Sequence, residues 1–319
     1  MSASGPAIGV DVGGTKIAAL LVAPDGQVLA SDVRPTPADD QSATMHDMVD
    51  AARAVASGDA VGVGIAAAGM VDLEGIMRYS PNLAWVDAPL AAFVGGALDL
   101  PAVADNDVNA AAWGEYRHGA GLGSTHLLMV SVGTGIGGGI VLDGRLYRGA
   151  NGFAAEIGHT VVEPDGPLCG CGNTGCWEQV ASGTALTRAG KQAAAADAGS
   201  VLAGLAAGDA DAVTGAMVTE AARSGDGASL AILAGVGERL GVGIAGLVNV
   251  LDPDLVVVGG GVSEAGELLL APVREAFRRS VEGDRRRPEV PIVQAVLGND
   301  SAAIGAAALL FERLDGVSR

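Results

Sequence analysis

Two stretches of this 319-residue chain follow one plan. IGVDVGGTKIAALLVAPDGQVL (8–29) and MVSVGTGIGGGIVLDGRLY (129–147) each read as an apolar strand, a glycine-rich tip carrying a threonine, a second apolar strand, an Asp-Gly turn and a third strand. Gly-Gly and Asp-Gly joints between such runs are hairpin signals. The first stretch is not a Rossmann opening, in which glycines must separate a strand from a helix. Thr15-Lys16 is not a Walker A ending either, because the spacing fails and a strand follows. A supersecondary unit used twice predicts two similar lobes. Each would carry a hairpin tip whose backbone N–H groups can meet a phosphate, which places a nucleotide's phosphates in the cleft between the lobes. The competing account is convergent hairpin composition.

The rest of the chain alternates strand and helix. Met45, Met48, Val49, Ala52 and Val55 recur at helical spacing within residues 44–57, as core packing rather than a cofactor box. Residues 61–69 read as an uncharged central strand, 69–81 as a small excursion and 90–98 as a helix. Further helices are expected over 182–198, 208–224, 228–249 and 264–279, with strands starting at 255 and 290. The length exceeds what one core usually supports. Lobes are therefore drawn at 1–118, smaller, and 119–298, larger, with a terminal helix over 300–314 packing back on the first. A hydrophobic content of 49% dominated by Gly, Ala and Val suits an α/β class with buried parallel strands.

Lys plus Arg is 19 against 37 Asp plus Glu, a net charge of −18. Such a chain repels nucleic-acid backbones and anionic membrane surfaces, so neither is expected as a partner. Arg285-Arg286-Arg287, beside Glu282 and Asp284, reads as a solvated loop. The N-terminus lacks the pattern of a signal peptide. Gly119–Leu142 carries no Asp, Glu, Lys or Arg, but its glycines read as a turn between strands rather than a membrane span. A cytoplasmic location is expected.

All three cysteines, Cys169, Cys171 and Cys176, lie in one run, with His159 ten residues upstream of the first. One imidazole and three thiolates complete a tetrahedral set for Zn²⁺. With no open position implied, the metal would be structural, stapling a loop whose glycines at 170, 172 and 175 allow sharp turns. Free thiols, or a disulfide plus one thiol, are the alternative. Three cysteines in this spacing also suit a reducing compartment better than a disulfide framework.

A short strand at 101–104 runs into Asp105-Asn106-Asp107-Val108-Asn109 and then a helix. Polar groups at such a junction sit at the carboxyl edge of a sheet, where α/β proteins bind ligands. One of them caps the helix, and four Asp/Asn residues in five positions exceed that need. Two lobes with glycine-rich tips suggest phosphoryl transfer, which asks mainly for position and electrostatics. Asp107 is the candidate general base for an acceptor hydroxyl, with Asp105 its competitor. Asp11 is the candidate holder of Mg²⁺ through water. Asn82, Asn106, Glu156, His159 and Glu178 offer the carboxylates, amides and imidazole that suit a sugar. His159 could hold zinc through one ring nitrogen and a hydroxyl through the other.

The motifs Asp11-Val-Gly-Gly-Thr-Lys16, Pro81-Asn82-Leu83, Asn106-Asp107-Val-Asn109, Gly133-Thr-Gly-Ile-Gly-Gly-Gly139, Glu156-Ile-Gly-His159, Cys169-x-Cys171-Gly-x-x-Gly-Cys176-x-Glu178, Asp252-Pro253 and Gly259-Gly-Gly261 resemble those of the ROK family of sugar kinases and regulators over residues 7–312. The cysteine run combined with Glu-x-Gly-His is highly specific, whereas the first motif is shared with other sugar kinases. The resemblance implies a two-lobe actin/hexokinase-like (ribonuclease H-like) fold and ATP-dependent phosphorylation of glucose at its 6-hydroxyl. It implies Asp107 as base and Asn82, Asn106, Asp107, Glu156, His159 and Glu178 around the sugar. Asp11, Gly13, Gly14, Thr15, Lys16, Gly133, Thr134 and Gly135 would face the ATP phosphates and Mg²⁺, with Gly260 and Gly261 on the adenosine side. His159, Cys169, Cys171 and Cys176 match the zinc set. A homodimer or homotetramer is implied. The alternatives are a kinase for mannose, fructose or an N-acetylhexosamine, and a non-catalytic sugar sensor. The sequence leaves ATP against polyphosphate open.

Overall fold

The structure, a computed structural model, describes residues 5–80 and 83–316. Asn82 lies outside the described residues. Two compact units emerge. The first draws on Met1–Met129, Gly139–Ala155 and Val296–Arg319, the second on Val130–Gly138 and Glu156–Ala295.

The first 118 residues form β1 (Ala7–Val12), β2 (Lys16–Val22), β3 (Val28–Pro35), α1 (Gln41–Val55), β4 (Val63–Ala67), the ribbon β5 (Met70–Val71) and β6 (Met77–Tyr79), α2 (Leu90–Leu98), β7 (Ala102–Asn106) and α3 (Asp107–His118). Their five-stranded sheet has the order β3-β2-β1-β4-β7. β1, β2 and β3 are joined antiparallel by the two tight turns, while β4 and β7 are parallel to β1. The register sets Val12 beside Ala67 and Ala67 beside Asn106. The Gly13–Thr15 tip and the start of α3 therefore leave the same carboxyl edge.

After α3 come β8 (Leu127–Val132), β9 (Ile136–Leu142), β10 (Arg145–Leu146), α4 (Trp177–Ala181), α5 (Gly183–Ala196), α6 (Val201–Leu205), α7 (Gly215–Arg223), α8 (Gly227–Leu251), β11 (Leu255–Gly259), α9 (Glu267–Ser280), β12 (Ile292–Gln294) and α10 (Ser301–Leu314). The second sheet runs β10-β9-β8-β11-β12, the same order of three consecutive strands followed by two later ones. The sequence repeat is thus a repeat of sheet topology. The uncharged segment 119–142 is spent on β8 and β9. One helix among the described residues, α8, is long and apolar enough to cross a membrane. Its Gly237 and Gly241 lie against the α9 backbone at Leu269 and Val273, so that face is packed on protein.

The core of the first unit is apolar α1 on one face of its sheet, with Met45, Met48, Val49, Ala52 and Val55 all buried. On the other face α10 lies directly on the strands. A Cβ at Gly9 would sit 1.9 Å from the Ala303 carbonyl oxygen, and one at Gly64 1.9 Å from that of Ala306. Gly305 meets α3 equally closely, 1.7 Å from the Ala110 carbonyl oxygen. Backbone cannot yield as a flexible side chain can. Gly305→Ala should therefore destabilise at or above the top of the range of about 1–3 kcal/mol seen for overpacking. A thermal unfolding midpoint equal to that of the unmodified protein would contradict this packing.

Candidate active site and metal centre

The Asp105–Asn109 run resolves into distinct jobs. β7 extends through Asn106, and α3 begins at Asp107. The Asn106 side-chain oxygen accepts from the Val108 and Asn109 N–H groups, so Asn106 is the cap. Its amide donates to the Gly69 carbonyl at 3.1 Å and to Asp107 Oδ1 at 3.0 Å. Asp105 is 5% exposed, and its carboxylate is saturated by Arg148, the Asn109 amide and the Asn106 N–H. Three donors, one of them a guanidinium, already hold it. Asp107 has no such cation among the described residues: burial raises its pKa from the usual 3.8, opposed by the Val108 N–H and the Asn106 amide.

Asp11, near the end of β1, is raised to about 7 by burial and then by the charge of Asp107, with Lys16 opposing and Asp300 adding. Crowded carboxylates of this kind are what a hard cation would relieve. The hairpin tip is fastened below: Gly13 N–H donates to the Lys16 carbonyl, and Thr36 Oγ1 donates to the Gly13 carbonyl at 2.7 Å. Gly13 and Gly14 are half-buried, while Thr15 and Lys16 are exposed.

In the second unit, one donor atom from each of His159, Cys169, Cys171 and Cys176 lies within 4.8 Å of the others. Cys171 and Cys176 Sγ are 3.6 Å apart, too far for a disulfide bond and close to the roughly 3.7 Å edge of a tetrahedron with Zn–S bonds of about 2.3 Å. The donor set fits a metal. Gly172 and Gly175 have positive φ, as the sharp turns require, whereas Gly170 does not. The knuckle is tied to the helices by Trp177, whose Nε1 donates to the Arg239 carbonyl at 3.0 Å and whose ring fills the space beside Gly243.

His159 faces two ways. Nδ1 is 3.6 Å from Cys169 Sγ, and Nε2 is 3.9 Å from Glu156 Oε2. Glu178 is the link between the cluster and the β8–β9 tip. Its Oε1 takes the Cys169 thiol at 3.1 Å, and a Cβ on Gly135 would lie 2.3 Å from its Oε2. Glu156, His159 and Glu178 thus gather at the knuckle.

A cavity of about 920 Å³ in the second unit is lined by Gly133, Thr134 and Gly261 together with Thr184, Thr187, Arg188, Lys191, Arg223 and Glu264 among others. Gly135 and Gly260 do not line it. Gly260, at φ +79°, has the Val132 backbone where a Cβ would be, so its part is to let β11 end against β8. In the sequence the polar wall from α5 and α7 reads as ordinary surface helix. Thr184 stands out within it. Its N–H and Oγ1 both donate to the Thr134 carbonyl, at 3.3 and 2.8 Å, and Gly183 N–H donates to the Gly133 carbonyl at 2.8 Å. The first N–H groups of α5, which have no partner within the helix, are spent on fixing this tip.

The ROK family model matches residues 7–313, nearly the whole chain. The chain belongs to the ROK family. A glucokinase of Streptomyces coelicolor is 42% identical over 316 residues, 97% of this chain and 98% of that protein. An N-acetylmannosamine kinase of Escherichia coli is 34% identical over 311 residues, covering 95% and 97%. Among solved structures, a ROK glucokinase from Streptomyces griseus in complex with glucose and AMPPNP has a TM-score of 0.88 and 44% identity, covering 96% of this chain and 99% of that one. This ROK protein therefore has the α/β, actin/hexokinase-like fold of the family.

Proposed function

We propose that this ROK protein is an ATP-dependent glucokinase, transferring the γ-phosphoryl group of ATP to the 6-hydroxyl of glucose. The observation that carries the reading is the division of labour at the junction of β7 and α3. Asp105 is neutralised by Arg148, while Asp107, at the same sheet edge as the Gly13–Thr15 tip, has no ion pair among the described residues and a raised affinity for a proton. The full-length likeness to a glucokinase solved with glucose and a nucleotide analogue supports it. Asp107 takes the hydroxyl proton as O6 bonds to phosphorus and the bond to the ADP oxygen breaks. Asn106, Glu156, His159 and Glu178 are assigned to the sugar, with Asn82 from the sequence resemblance. The tips 13–15 and 133–135 present backbone N–H groups to phosphates, with Lys16 beside the first, and Gly261 with its neighbouring cavity takes the nucleoside. Gly260 is retained only as a support. Mg²⁺, held near Asp11, would supply charge neutralisation at the phosphates. Zinc on His159, Cys169, Cys171 and Cys176 would brace the sugar-binding carboxylates. A homodimer or homotetramer is proposed from the family resemblance.

A coupled assay with ATP, Mg²⁺ and glucose, mannose, fructose, N-acetylglucosamine and N-acetylmannosamine tests the reading. Glucose should give the largest kcat/KM. Preference for an N-acetylhexosamine would replace it with the reading that the E. coli relative suggests, and binding without turnover would leave a sugar sensor. Thr184→Val should raise KM for ATP about fivefold, the loss of one hydrogen bond of about 1 kcal/mol, with KM for glucose unchanged. Thr184→Ser should restore it. Equal KM for ATP in the valine variant would show that the tip does not depend on this clamp.

A further inference from the structure

The first unit holds a cavity of about 500 Å³ that none of the assigned roles uses. Its size is within the range of small-molecule sites, about 300–1,000 Å³. Four consecutive residues of β7, Ala102–Asp105, line it. β7 is the last strand of its sheet, so its outer edge offers backbone donors and acceptors. Arg145 and Arg313 are exposed on the wall, and among the described residues neither makes an ion pair. Glu312 lines the same cavity, only 7% exposed, and its carboxyl has no hydrogen bond or ion pair among the described residues. Burial pushes its pKa up, with Arg148, Arg117 and Arg145 opposing and Asp105 adding.

We propose that this cavity is a second ligand site, for a phosphorylated sugar, and that its occupancy acts on Asp107 through the Asp105–Arg148 pair. Guanidinium forks match phosphate oxygens. Glu312 and the edge of β7 match hydroxyls, which a bare phosphate would leave unused. Arg148 is shared: it lines the cavity while bonded to Asp105, and Asp105 in turn accepts from the N–H of Asn106, the residue that holds Asp107. A ligand phosphate that draws on Arg148 loosens Asp105 and lowers kcat. The effect on turnover rests on the kinase reading, whereas the binding itself does not.

Isothermal titration of glucose 6-phosphate into the full chain, saturated with glucose and AMPPNP, tests the site. One binding event is expected. Arg145→Ala with Arg313→Ala should weaken it at least tenfold, Glu312→Gln should weaken it less, and Asp107→Asn should leave it unchanged. Both arginines are exposed, so the double variant should fold. Inorganic phosphate should bind at least tenfold more weakly than the sugar phosphate. No event, an unchanged affinity in the double variant, or equal binding of inorganic phosphate would overturn the proposal. In steady-state assays glucose 6-phosphate should lower kcat at saturating glucose and ATP, and the double variant should lose that inhibition. Purely competitive inhibition, or the same inhibition in the variant, refutes the coupling. A protein that phosphorylates no hexose would defeat the kinase reading but leave the titration interpretable.

Discussion

Replacing Asp107 by Asn should lower kcat about 100- to 10,000-fold, the usual contribution of a positioned general base. The amide oxygen can still accept the Val108 N–H that the carboxylate accepts now at 3.0 Å, so α3 keeps its start and Asn106 its cap. What the variant cannot do is take a proton. Glucose affinity should stay within about tenfold, or 1.4 kcal/mol, when measured by titration in the absence of ATP. The pH profile gives a second readout. Because burial raises Asp107 above its usual 3.8, kcat/KM should climb with pH along a limb placed above that value, as the carboxyl ionises and becomes a base. The residual activity of Asp107→Asn should lack this limb. Activity above a few per cent of the parent would refute the base assignment. Asp105→Asn is the useful contrast: it removes the buried charge that pairs with half-buried Arg148, so its first effect should be on stability.

The parts of this molecule that could be read from the chain are those written in local patterns. Two apolar runs joined by Gly-Gly or Asp-Gly determine a hairpin by themselves, which is why β1 to β3 and β8 to β10 were expected. The duplication they form extends to the order of both sheets. The polar excess at 105–109 was visible, but its division was not. Arg148 reaches Asp105 across 43 residues, and nothing in the sequence near Arg148 records that partner. Gly260 is a different case: a glycine after a buried strand signals close approach, and the group that a Cβ there would meet is the Val132 backbone. Short α4 and α6, five residues each, carry too few turns to produce a period. The cavity wall from α5 and α7 escaped for a different reason, since polar helix residues look alike whether they face water or a ligand. The four metal donors, by contrast, span only 159–176, and chain connectivity alone brings them close.

Removing the metal should produce the other large effect. Cys171→Ser leaves three donors, one short of a closed tetrahedral set. The purified variant should contain less than a tenth of the zinc of the parent by elemental analysis, and its thermal midpoint should fall. In small isolated zinc domains the metal supplies about 10–16 kcal/mol of folding free energy. The loss here should be smaller, because Trp177 stays fastened to Arg239 and Gly243 without it. The local consequence should exceed the global one. Without a metal, His159 Nδ1 has beside it only the Cys169 thiol at 3.6 Å and the Glu178 carboxylate at 3.8 Å among the described residues, and Glu178, which lies directly against the Gly135 tip, loses an ordered neighbour. Glucose affinity should therefore fall at least tenfold, the lower end of the 10- to 100-fold range for disturbed metal-site architecture. Treating the parent with a strong chelator should reproduce the loss, and added Zn²⁺ should reverse it. If the serine variant lost its zinc yet bound glucose as before, the knuckle would be a fastening for the fold alone. His159 and Glu178 would then need no metal to hold their places.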